Sequence, residues 1–190
     1  IYAEDFNFTI KHLAVAKLST SGIELRSHPV MLDINSSLAG LKGVRNGIQF
    51  DTDLLGAFHV AGSGAGREST ASGLISDLHA LSKSNEVSPM NYPDFSNKPN
   101  ILNFNDLTFK FYVYLEVKDE PGVLALISKT FADHNISFDK VIQKDQLQNG
   151  SVPLVIFTDP TIESEMQIAL EGLADHPEVL NSKIIRIEDL

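Results

Sequence analysis

Phe111-Tyr-Val-Tyr-Leu-Glu-Val117 and, directly after it, Asp119-Glu-Pro-Gly-Val-Leu124 decide how this chain folds. The first run reads as a strand whose alternation is blurred by aromatics on both faces. The second turns the chain and opens a helix through about His134. Residues 136–142 and 152–158 read as two more strands, 161–174 as a second helix and 179–187 as a last strand. Strand-helix-strand therefore occurs twice, with a hairpin between the halves. That predicts a ferredoxin-like βαββαβ sandwich, four strands under two helices. Helices cover one face of such a sheet; the other face is expected to meet a ligand, a partner or a second copy.

Composition narrows the function classes. With 190 residues, 43% of them apolar, the chain can bury one good core or two small ones. It has no cysteine, which excludes disulfides, thiol chemistry and cysteine metal sites and suits a reducing compartment. No apolar run approaches a membrane span, so no membrane partner is expected. The net charge is -10, and residues 110–190 hold 7 basic against 14 acidic side chains. Nucleic acid is not expected as a partner, because phosphate binding needs a positive footprint.

Residues 1–80 read as a mostly antiparallel sheet of roughly four strands. Phe8 to Leu18 alternates, Ser19-Thr-Ser-Gly22 turns, and Ile23 to His28 returns, with Pro29 breaking the ladder or sitting at its edge. Two further strands follow, around residues 44–50 and 54–60. Arg26 and His28 lie two apart and share a face, where they suit either an acidic ligand or a satisfied interface. Lys11 and Lys17 suit anion contact or edge protection. His12, His28 and His59 fall in separate elements, and no metal site is predicted.

At the end of this sheet stands Gly62-Ser-Gly-Ala-Gly66, then a helix from Ser69 or Thr70. Amides of such a segment can cradle an anion, aided by the helix start. The spacing is G-x-G-x-G rather than G-x-G-x-x-G, and no strand-helix-strand unit follows. On the residues alone, nucleotide contact and a purely structural turn both stand. Residues 81–108, rich in Ser, Asn and Pro, read as a linker between a first part, 1–80, and a second, 109–190. In the second part Pro121 is expected at a first helical position and Asn135 as a left-handed cap. Glu163, Glu165 and Glu171 are expected to face water.

Asp119-Glu-Pro-Gly-Val-Leu124, a helix, then Asn135-Ile-Ser137 resembles the signature of the ACT regulatory domain. The resemblance implies a small-ligand site, usually for an amino acid, where this loop meets a neighbouring copy. Carried over by position, the effector residues are Asp119, Gly122, Val123 and Leu124, with Asn135 and Ile136 opposite. Earlier in the chain, Ile10-Lys-His-Leu-Ala-Val-Ala-Lys17, Glu24-Leu-Arg-Ser-His-Pro29, Val44-Arg-Asn-Gly47, and the glycine segment with Thr70-Ala71 and Asp77-Leu78 are similar to the C-terminal half of homoserine dehydrogenases. Asp159 departs from the family, which often has His there.

That resemblance implies an NAD(P)-dependent parent enzyme that interconverts L-homoserine and L-aspartate 4-semialdehyde, on the route to threonine and methionine. It implies a cytoplasmic homodimer or higher homo-oligomer, with allosteric regulation by threonine. Gly64, Gly66 and Thr70 are the implied cofactor contacts. The chain begins in mid-pattern at Ile1, so the nucleotide-binding domain and the catalytic residues are expected upstream of it. The chain alone is expected neither to turn over substrate nor to bind the dinucleotide tightly. The rival reading is a stand-alone amino-acid sensor or assembly module without dehydrogenase activity.

Overall fold

The structure, a computed structural model, describes residues 2–83 and 100–190. Its elements are β1 (Phe8–Leu18), β2 (Ile23–Asp33), β3 (Arg45–Thr52), β4 (Gly56–Ser63), α1 (Arg67–Lys83), β5 (Thr108–Lys118), α2 (Val123–Asp133), β6 (Phe138–Gln143), β7 (Ser151–Thr158), β8 (Thr161–Ile162), α3 (Glu163–Ala174) and β9 (Val179–Glu188). They form two compact units, one of residues 2–33 with 100–189 and one of residues 34–83.

In the first unit the strand order is β1-β2-β9-β5-β7-β6, with β8 paired to the start of β5. The predicted βαββαβ pattern is there, and β5 is its centre. Phe111, Val113 and Leu115 of β5 project to one face, where they pack with Ile127 and Phe131 of α2 and Met166, Ala169 and Leu173 of α3. Those α2 residues recur with Val123 at i, i+4 and i+8, the spacing of one helical face. Burying each such side chain stabilises the unit by roughly 1.5–3 kcal/mol.

Tyr112 and Tyr114 project to the opposite face, with Val155 and Phe157 of β7 and Met31 of β2. This face was expected to be free for a ligand, a partner or a copy. The chain's own first residues cover part of it instead, because Tyr2, Phe6 and Phe8 pack there. With both faces covered, β5 and β7 need no polar alternation, which explains the blurred pattern in their sequence.

The first eighty residues do not make one four-stranded sheet. Strand β2 continues through Pro29, and Val30 to Leu32 pair in parallel with Arg186 to Glu188 of β9. Pro29 is tolerated because pairing with β9 begins only at Val30. The apolar run Val30-Met31-Leu32 is fully buried there. The hairpin β1-β2 thus belongs to the sheet of the second part. In the second unit β3 and β4 form a separate antiparallel pair. One face of that pair carries Ile48, Phe50, Phe58 and Val60, all exposed, with the two phenyl rings stacked at 5.0 Å.

Of the expected linker, residues 84–99, with Met90, Tyr92 and Phe95, lie outside the described residues. Its far end is ordered, since Leu102 and Phe104 pack against the main core. None of the described helices is long and apolar enough to cross a membrane.

Candidate functional site

The loop between β5 and α2 borders a cavity of about 70 Å³. Val117, Val152 and Leu154 of the sheet and Val123, Leu124 and Ile127 of α2 give it apolar walls. Asp119 and Glu120 stand at its polar side, together with Gln143, the last residue of β6. Pro121 precedes the helix rather than opening it: Gly122 is the N-cap, with φ +97°, and α2 begins at Val123. That φ lies in the left-handed region, which favours glycine. No side chain caps α2, and its first turn holds no acidic residue. The Val123 amide reaches the Glu120 carbonyl at 3.4 Å, while those of Leu124 and Ala125 have no carbonyl within the helix and suit water or a ligand carboxylate.

Asp119, Val123 and Leu124 therefore line one cavity, whereas Gly122 is the N-cap of α2 and does not line it. Asn135 and Ile136 do not join them. They lie past the other end of α2, roughly 16 Å away along an eleven-residue helix. Asn135 has φ 56°, the predicted left-handed cap, and Ile136 is buried in the core. Asp159 belongs to that far end too, its amide bonded to the Ser137 carbonyl at 3.0 Å. The two halves of the expected site meet only if a second copy brings them together. Gln143 had no signal in the sequence; only the pairing of β6 with Leu154 of β7 places it at the cavity.

In the second unit, the Gly64 amide donates to the Val44 carbonyl at 2.7 Å. A Cβ at Gly64 would stand 2.1 Å from the Asn46 side chain, so this glycine answers an internal close approach. Gly66 has φ +141° and borders an open depression of about 360 Å³, together with Ser63, Arg67, Glu68 and Ser69. Thr70 lies within the first turn of α1, its amide bonded to the Gly66 carbonyl at 3.0 Å, and does not line the depression. The amides of residues 67–69 begin α1 and, with the Arg67 cation, fit a phosphate-bearing group; Glu68 opposes it.

Of the remaining singled-out residues, His59 lies exposed on β4 of the second unit, and the following are engaged inside the first unit. Arg26 is buried, with Nε on Glu24 at 2.5 Å, Nη2 on Glu188 at 2.5 Å and Nη1 at 3.2 Å from His28 Nε2. Lys17 reaches the other oxygen of Glu188 at 2.7 Å. His28 packs edge-on to both the Phe104 and Phe109 rings, and burial holds its pKa below the usual value, helped by the Arg186 and Arg26 charges. His12 meets Ser27 at 2.9 Å. Glu163, expected to face water, is 1% exposed and paired with Arg186 of β9. This cluster satisfies itself and ties β2 to β9 and α3 to the sheet.

The family model for homoserine dehydrogenase matches residues 1–79, from the start of the chain into α1. Homoserine dehydrogenases from Pseudomonas aeruginosa and Helicobacter pylori are 31% and 33% identical to it over 98% and 99% of this chain. Along nearly its whole length this chain is similar to homoserine dehydrogenases. The crystal structure of the Thiobacillus denitrificans homoserine dehydrogenase superposes with TM-score 0.85 at 30% identity, covering 99% of this chain. The matched part is the C-terminal region of that family's fold. The chain spans less than half the length of these relatives, 44% of the Pseudomonas and Thiobacillus proteins and 45% of the Helicobacter one.

Proposed function

We propose that this chain is the regulatory and dimerisation portion of a cytoplasmic homoserine dehydrogenase. The whole enzyme would interconvert L-homoserine and L-aspartate 4-semialdehyde with NAD(P). The dinucleotide supplies the hydride when bound; this chain's contribution would be the Gly66–Ser69 turn, whose amides and Arg67 steady a phosphate. Residues 109–190 act as an ACT-type module that senses threonine, the end product of the route.

The cavity at the start of α2 is the observation that carries the effector reading. Uncapped first-turn amides suit a carboxylate, Asp119 suits an ammonium group, and Val123 and Leu124 suit a short side chain. Gln143 offers an amide for a hydroxyl. Asn135 of a neighbouring copy, which is exposed, would complete the site; Ile136 is taken up by its own core.

Calorimetry against threonine, with methionine, isoleucine, lysine and serine as controls, tests this. Threonine is expected to bind saturably, and Asp119→Ala to weaken it at least tenfold, about 1.4 kcal/mol. Absence of heat with every amino acid, at two temperatures, would leave an assembly module. Preference for another amino acid would keep the sensor and replace its effector.

A further inference from the structure

The effector cavity and the segment covering the other face of the sheet are joined by one peptide bond. Gln143 and Lys144 are consecutive at the end of β6. Gln143 borders the cavity on the helix side. Lys144, one residue on, turns to the opposite side. Its Nζ meets Asp5 at 2.9 Å and lies over the Tyr2 and Phe6 rings at 4.9 and 5.0 Å.

Those three residues belong to the strap of residues 2–8, which leads into β1. Its rings rest on the sheet, Phe6 edge-on to Phe157 at 5.2 Å and Tyr2 tilted against Tyr114 at 6.2 Å. Within the strap, Phe6 and Phe8 donate to the Ala3 carbonyl and Asn7 to that of Glu4, and Phe8 begins the pairing of β1 with Asp33 of β2. Lys144 is thus a polar pin for a strap whose rings pack on the sheet.

Among the described residues β6 is an edge strand, paired with β7 alone. Its last bonds are the Gln143–Leu154 pairing and the Lys144 amide on the Pro153 carbonyl at 2.9 Å. Strand ends on an edge open at the least cost, so this is where a small ligand can change a population. A ligand that engages the Gln143 side chain fixes the end of β6. That holds Lys144 toward Asp5 and the strap.

We propose that Lys144 couples occupancy of the α2 cavity to docking of the residue 2–8 strap on the far face of the sheet. The coupling rests on the effector reading given above. Because it is a binding equilibrium it runs both ways: a loosened strap weakens the ligand by the factor by which the ligand tightens the strap.

Hydrogen exchange at the Phe6, Asn7 and Phe8 amides reads the strap, and calorimetry with threonine reads the cavity. In the unaltered chain, threonine is expected to slow those three amides about fivefold or more, the low end of ordinary couplings. Lys144→Met should abolish the slowing and weaken threonine by a similar factor, while Lys144→Arg restores both. Asp5→Asn, which leaves Lys144 over the rings, should act in the same direction and guards against a folding defect in Lys144→Met. Threonine binding without any change at the strap overturns the coupling and leaves the effector site intact. Slowing that persists in both Lys144→Met and Asp5→Asn removes Lys144 as the link and overturns the proposal. Absence of threonine binding overturns the effector reading and the coupling with it.

Discussion

Glu163 accepts from Arg186 Nε at 2.7 Å and from Gln167 Nε2 at 2.8 Å, while Arg186 lies over the Phe104 ring at 4.9 Å. Removing one partner of a buried pair leaves the other charge uncompensated, at about 3–5 kcal/mol. Glu163→Ala is therefore expected to lower the urea midpoint far more than Glu165→Ala, whose side chain is 41% exposed. His28 gives the pH counterpart. Its folded pKa is depressed, so its contribution is fully present above about pH 6.5 and is lost as pH falls below that value. Arg26, Arg186 and Glu163 face it, and the two cations oppose its protonation. Stability measured from pH 7 to 5 should fall, and His28→Gln should flatten that part of the curve. The spacing contained a sign of Glu163's burial, because it lies three residues before Met166 and so shares its face. Its charge argued the other way, and only Arg186 on β9 resolves the conflict.

At the scale of elements, α2, α3 and the four strands of the βαββαβ pattern were legible from periodicity, with ends shifted by up to three residues. The turn chemistry was partly legible: Asn135 is left-handed as predicted, whereas Gly122, not Pro121, sets the helix start. Strand β2 was cut short at Pro29 because proline ordinarily interrupts a ladder, and the parallel partner that makes it tolerable lies far along the chain. The effector loop was readable as a loop, but its cavity was not, since Val152, Leu154 and Gln143 arrive through strand pairing. The β3-β4 pair poses a separate question. Its outward row of Ile48, Phe50, Phe58 and Val60 is the surface expected to close the homodimer. Phe50→Asp should weaken self-association at least tenfold, about 1.4 kcal/mol, seen as a shift toward monomer in sedimentation velocity.

At the scale of the whole molecule, the sequence divides most naturally at the Ser, Asn and Pro-rich stretch, yet hydrogen bonding divides it elsewhere. Residues 8–33 complete the sheet of residues 108–188, and residues 34–83 stand in a unit of their own. The pairing of β2 with β9 has a consequence during synthesis. Val30-Met31-Leu32 leave the ribosome about 150 residues before the strand that will cover their edge. At translation rates of about 5–20 residues per second, that is roughly eight to thirty seconds. Through this interval the nascent hairpin carries an uncovered apolar edge, the kind of surface that chaperones shield and that aggregates when they do not. A protein cut at residue 109 would meet the converse difficulty, with β9 still paired to β5 but its other edge left permanently without β2.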